Sequence, residues 1–209
     1  GSGIEVCGQE HLQAALDKGT GVLVLTAHQH SMMQLAVTLG LLNLQTHPIL
    51  MDPGLTVPNY LEEFAARAVR DSSAHYNGGG YLYVDYSGAF VRPVYRALQA
   101  GCVVLSANDF PASLAPKRRQ VVPFLGRKIS CPTGSVEIAM QCGAAIVPSF
   151  IYRKGAGLAV EFHPALDGEL DAIMRDYGRL LEASVRKDPG AWEGWKWADV
   201  FDVPNGDKR

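Results

Sequence analysis

No stretch of this 209-residue chain approaches the roughly 18 consecutive apolar residues that a bilayer-crossing helix requires, and no signal-peptide pattern is present. A spanning segment is therefore not expected, while contact with a membrane surface stays open. Positive charge is also scarce. Lys and Arg number 19 against 21 Asp and Glu, for a net charge of -2, so the basic face that nucleic-acid binding demands is missing. The one basic cluster, Lys117 to Arg119, reads as a solvated loop unless an anionic ligand docks there. Cysteine is limited to Cys7, Cys102, Cys131 and Cys142, scattered without C-x-x-C spacing and partly within apolar runs. That usage fits a reduced, cytoplasmic protein, and no metal site is expected from it. There is no fixed-period repeat and no low-complexity tract; Gly78-Gly79-Gly80 marks a mobile loop.

What the chain does have is apolar material, 47% of its residues, enough for one compact core and too short a length for two comfortable domains. A single domain over residues 4–209 is expected, with Gly1, Ser2 and Gly3 read as a remnant of recombinant expression. Leu12, Ala15 and Leu16 at helical spacing, closed by Gly19, lead into the buried strand 21–26. A helix over 31–42 and a strand over 46–51 follow, with Pro53 and Gly54 closing the strand and Pro58 opening a helix over 60–69. Farther on come a helix over 93–100, a central strand over 102–106, the segment 121–125, a helix over 133–141, a strand over 144–152 with a hairpin partner at 158–162, and an amphipathic helix over 171–185. This is βαβ grammar, and the fold class it predicts is an α/β (αβα) sandwich around a mixed, mostly parallel sheet.

His28 stands just past the carboxyl end of the first buried strand, where open α/β sheets place their ligands. A neutral imidazole there can take a proton from an attacking hydroxyl or amine; the plainer alternative is a capping or core histidine. Asp109, beside Asn108 at the end of another central strand, faces the same crevice, or else forms the turn ahead of Pro111. Arg153 closes a strand and could hold a phosphate or carboxylate, or form an ordinary surface ion pair. Thr133, Gly134 and Ser135 open a helix and could present backbone N–H groups to an oxyanion or phosphate.

Several segments, taken in order, resemble the lysophospholipid acyltransferase superfamily, and most closely its lipid A biosynthesis acyltransferases. Gly8, Glu10, Leu12 and Ala15 match a G-x-E-x-L-x-x-A segment that leads through a strand to His28. Residues 98–109 resemble the family's second strand with its terminal aspartate. Residues 122–126, 132–139 and 144–153 follow in the family's order, and Pro189, Trp192, Trp195 and Trp197 are similar to its closing P-x-x-W-x-W pattern. The resemblance implies a glycerolipid-acyltransferase-like fold and a catalytic His28. It also implies an acyl carrier protein or coenzyme A thioester as donor and cosubstrate, a small-molecule or lipid acceptor, and no permanently bound cofactor. Relatives acting on lipid A carry an amino-terminal membrane segment that this sequence does not include. The expectation drawn from that difference is a smaller acceptor, in secondary metabolism, and a cytoplasmic enzyme with at most peripheral contact at the inner membrane surface.

The family pattern is His-x4-Asp/Glu, whose acid orients the imidazole and stabilises its charged form. Here the acid position holds Met33, a thioether with no charge and little hydrogen-bonding power. Three explanations stay open. Asp109, Glu137, Gln34 or His30 orients His28 instead; a basic amine acceptor needs less help; or acyl transfer has been lost and an acyl-binding module is left. His30 and Gln34 are candidate substrate contacts as well. Cys131, ahead of the helix at 133, is the nucleophile of a rival Cys/His thioesterase reading. Trp192, Trp195 and Trp197 read as packing residues, with interfacial binding the alternative.

Overall fold

Val22 to Thr26 and Val103 to Ala107 are apolar on both faces, and the chain buries both completely as neighbouring parallel strands at the centre of a seven-stranded sheet. The computed structural model describes residues 3–51, 62–84, 90–113, 117–197 and 201. Expectations resting on Pro53, Gly54 and Pro58, and the assignment of Gly1 and Ser2, lie outside the described residues. The strands are β1 Ile4–Cys7, β2 Val22–Thr26, β3 Thr46–Met51, β4 Leu82–Val84, β5 Val103–Ala107, β6 Arg119–Phe124, β7 Arg127–Pro132, β8 Ala145–Lys154 and β9 Gly157–Phe162. The helices are α1 Gln9–Leu16, α2 Met32–Leu41, α3 Glu62–Ser73, α4 Val91–Gln99, α5 Gly134–Cys142 and α6 Leu170–Lys187, followed by 3-10 turns at Pro189–Ala191 and Glu193–Lys196.

The sheet runs β1-β9-β8-β2-β5-β3-β4, parallel throughout except for the antiparallel β8–β9 hairpin. Alternate residues of β2 sort into two cores, as the two-residue strand period requires. Leu23 and Leu25 join Val94 and Leu98 of α4, Val136 of α5, and Met174, Tyr177 and Leu181 of α6. Val22 and Val24 join Leu12 and Ala15 of α1 and Leu35 and Leu39 of α2 on the opposite face. The result is the α/β architecture with a mixed, mostly parallel sheet that the strand and helix pattern predicts. Among the described residues no helix is long and apolar enough to cross a membrane.

Three strands escape the sequence pattern. β1 and β4 are short and only partly covered. β7 begins with two exposed charges, Arg127 and Lys128, and ends at Pro132, so its polar opening hides a strand whose Ile129, Ser130 and Cys131 are buried. It stands immediately ahead of α5, where the sequence pattern marks no element. It also takes residues 121–125 out of the main sheet, since β6 pairs with β7 in a separate antiparallel ribbon.

The junction feeding β2 is sterically tight. The Gly21 amide donates to the Leu98 carbonyl at 3.0 Å, and a Cβ on Gly21 would overlap that same backbone oxygen and the Leu98 Cα. Backbone cannot yield as a flexible side chain does, so α4 and β2 must separate to admit a methyl group. Gly21→Ala is expected to destabilise the protein by about 2 kcal/mol or more, read as a lowered midpoint in thermal or urea unfolding. Gly80→Ala, where a Cβ meets nothing within 4 Å, should be close to neutral.

Candidate active site

The β2–β5 register pairs Thr26 with Ala107, and His28 and Asp109 each follow two residues later. The Asn108 amide donates to the Thr26 carbonyl at 3.0 Å, so the two chains stay together beyond the strands. The Asp109 carboxylate then meets His28 twice. Oδ1 lies 2.6 Å from the imidazole Nδ1, and Oδ2 accepts the His28 backbone N–H at 2.9 Å. Oδ2 also accepts the indole N–H of Trp192 at 2.8 Å. Asp109 is 1% exposed, yet both of its oxygens are satisfied, as burial of a charge demands.

A carboxylate only accepts hydrogen bonds, so in the neutral imidazole this contact favours the proton on Nδ1 of His28 and leaves Nε2 with its lone pair. Phe110 and Trp197 flank the ring edge-on, with centroids at 5.7 and 5.3 Å. The imidazole keeps 27% of its side-chain surface exposed, which leaves it open to a reactant. Burial on its own would push the His28 pKa down. The charge and hydrogen bond of Asp109, helped by Glu193, outweigh that effect and raise the pKa above its ordinary 6.5.

Met33, at the position of the family's acid, belongs to the other layer. Its sulfur accepts hydroxyl protons from Tyr81 at 2.8 Å and Tyr76 at 3.4 Å, and it packs on the α1/α2 side of the sheet. The carboxylate that meets His28 comes instead from the loop after β5, so Asp109 is not merely a turn residue. Gln34, one residue on, borders an apolar groove on that same side with Ile4, Val6, Val37 and Leu41, so the structure does not bring it to His28. Glu137 is likewise engaged elsewhere, accepting from Thr133 Oγ1 at 2.5 Å and pairing with Arg118 at 2.7 Å.

His30 and Arg153 converge on Asp188. The His30 Nε2 lies 2.8 Å from Asp188 Oδ2, which also accepts the Arg153 backbone N–H at 2.8 Å. The Asp188 carboxyl is pushed down from its ordinary range: partial burial opposes the shift, and the Arg153 amide and His30 prevail. Neither residue contacts the His28–Asp109 pair in this arrangement, and the Arg153 side chain is exposed. Ser135 does reach the site's frame. Asn108 Nδ2 donates to the Pro132 carbonyl at 2.7 Å and lies 3.2 Å from Ser135 Oγ, while Ser106 Oγ donates to Asn108 Oδ1 at 2.6 Å. This buried network fixes the start of α5, with Thr133, Gly134 and Ser135, against the loop carrying Asp109.

Arg119, expected in a solvated loop, braces that loop from β6. Its guanidinium donates to the Phe110 carbonyl at 2.7 Å and to Ser130 Oγ and the Ser130 carbonyl. The Cys131 thiol is wholly buried and its pKa is pushed far up, first by burial and then by the charge of Asp109. Such a thiol stays protonated and out of reach of substrate, which removes the nucleophile of the thioesterase reading. Sequence reasoning missed Phe110, Asn108 and the indole N–H of Trp192 as parts of the site. The available signal was the tryptophan group itself, since a buried indole needs an acceptor for its one donor.

Residues 2–197 match the family described as bacterial lipid A biosynthesis acyltransferase. A phosphatidylinositol mannoside acyltransferase of Mycobacterium tuberculosis (strain CDC 1551 / Oshkosh) is 25% identical over 193 residues, covering 88% of this chain and 56% of the relative. A protein of the same description from strain ATCC 25618 / H37Rv is 28% identical over 74 residues, covering 34% of this chain and 23% of the relative. The chain therefore spans little more than half the length of the curated relatives it matches. The order of motifs along the chain, the sheet that carries His28 and the match over nearly its whole length agree: the chain belongs to the bacterial lipid A biosynthesis acyltransferase family.

Proposed function

We propose that the protein transfers an acyl group from a thioester, carried by acyl carrier protein or coenzyme A, to a hydroxyl or amine acceptor, with His28 as general base and Asp109 as its orienting acid. The observation that carries this reading is the 2.6 Å contact between the His28 Nδ1 and the buried Asp109 carboxylate. The proton on Nδ1 points the basic Nε2 lone pair outward, as the carboxylate does in serine-hydrolase triads. Nε2 takes the acceptor's proton as its oxygen or nitrogen attacks the thioester carbonyl. The tetrahedral intermediate then expels the thiolate, which receives that proton from the imidazolium. Asp109 stabilises the imidazolium between the two steps.

The first-turn amides of α5, at Gly134 and Ser135, are the donors we assign to the developing oxyanion. A helix start has backbone N–H groups without intrahelical acceptors, and the Asn108–Ser135 network holds this one against the Asp109 loop. The acyl-binding module without catalysis loses its main support, because the carboxylate absent at Met33 is present at Asp109.

Turnover of an acyl thioester with a panel of alcohols and amines tests the reading. Transfer is expected to vanish in His28→Ala and to fall by about 10³-fold or more in Asp109→Asn, which disturbs the tautomer while keeping the shape. Met33→Leu should stay within a few-fold of the parent. Transfer that survives His28→Ala sinks the base assignment.

The pH dependence carries a definite sign. A base works unprotonated, and Asp109 holds the proton on His28 more tightly than in a free imidazole. Transfer should therefore rise with pH through a midpoint above 6.5. Asp109→Asn removes the anion and should lower the His28 midpoint, which NMR titration reads even where turnover is weak. A parent midpoint at or below 6.5 contradicts the coupling.

A further inference from the structure

The segment after α6 engages every residue from His28 to His30. The Glu193 amide donates to the His28 carbonyl at 2.7 Å, and the His30 amide donates to the Ala191 carbonyl at 3.0 Å. Between them Gln29 and Trp192 form an antiparallel bridge. Ser184 Oγ, from the last turns of α6, donates to Gln29 Oε1 at 2.9 Å, and Asp188 holds His30. At the centre of this clasp the Trp192 side chain turns inward and reaches Asp109 Oδ2.

The indole is closely confined. It is 2% exposed, its ring centroid lies 4.8 Å from that of Phe124 and 4.9 Å from that of Trp195, and Gly194 sits so close that any Cβ there would overlap it. Packing alone would ask only for an apolar ring. This ring has a single polar atom, and that atom meets the one carboxylate paired with His28. We propose that Trp192 is a positioning residue, whose indole N–H fixes the orientation and disperses the charge of the Asp109 carboxylate that in turn orients His28. The proposal rests on the reading of His28 as the base.

Two consequences follow from hydrogen bonding. Without the indole donor, Oδ2 keeps only the His28 backbone N–H, and the carboxylate gains freedom to rotate about its Cβ–Cγ bond. Its negative charge is also less offset by donors, so the imidazolium beside it is held more strongly. Both changes act through Asp109, and neither requires Trp192 to touch a substrate.

The test uses two variants of the full chain: Trp192→Phe, and replacement of Trp192 by 3-benzothienylalanine, which keeps the bicyclic shape and substitutes sulfur for N–H. The benzothienyl variant guards against a loss of fold in the phenylalanine one. In the free protein the His28 ring titration, followed by NMR, should move up by about half a pH unit. In turnover, kcat at pH 7 should fall about tenfold with KM within twofold, and the acid limb should move with the titration. A benzothienyl variant that folds but leaves the His28 midpoint unmoved or lower overturns the proposal, as does a loss of melting temperature alone. The titration needs no turnover, so it separates this proposal from the one it rests on: transfer that survives His28→Ala removes the base, whereas an unmoved midpoint removes only Trp192.

Discussion

The buried carboxylate of Asp109 is the constraint around which the described site is arranged. An ionised carboxylate out of contact with water is costly unless donors surround it, and a single partner does not satisfy two oxygens. Here three donors come from two places in the chain: the ring and the backbone N–H of His28, and the Trp192 indole. The β2–β5 register brings the first two, and the segment after α6 brings the third. Removing either element would take donors from a buried charge, so the requirement to satisfy Asp109 links the sheet centre, the loop after β2 and the C-terminal turns.

The same requirement shapes the surrounding polar residues. Asn108 and Ser106 consume the hydrogen-bonding capacity of the β5 end and fasten it to Ser135 and Pro132, while Arg119 holds the carbonyl of Phe110. Tyr177 of α6 donates to the Thr26 carbonyl at 2.7 Å at the end of β2. Each group closes off an alternative conformation for the two loops that carry His28 and Asp109. That is the order the proposed general base would need, because its lone pair must already point at the reactant when the acceptor arrives.

Much of the fold was legible because the central elements have unambiguous periods. β2, β5 and β8 are apolar on both faces, and α6 shows a clear amphipathic stripe. β7 was hidden by its polar first residues, and β1 and β4 by their brevity. Of the site, His28 and Asp109 were legible from their places after two strands, but their register was not, since no local pattern encodes which residues of distant strands pair. Four residues separate His28 from Met33, but the start of α2 turns Met33 into the other layer, toward Tyr76 and Tyr81. His30 and Arg153 looked like ligand contacts because Asp188, 158 and 35 residues away, is invisible as a partner in sequence. The Trp192–Asp109 bond spans 83 residues and escaped for the same reason.

The central claim is that Asp109 fixes the proton of neutral His28 on Nδ1 and leaves Nε2 free as the base. The nitrogen-15 shifts of the His28 ring, recorded above its titration midpoint, test it most directly. The account predicts a protonated Nδ1 and an unprotonated Nε2 in the parent protein, with that preference lost in Asp109→Asn. A parent spectrum showing the proton on Nε2, or an even mixture of the two tautomers, would contradict it.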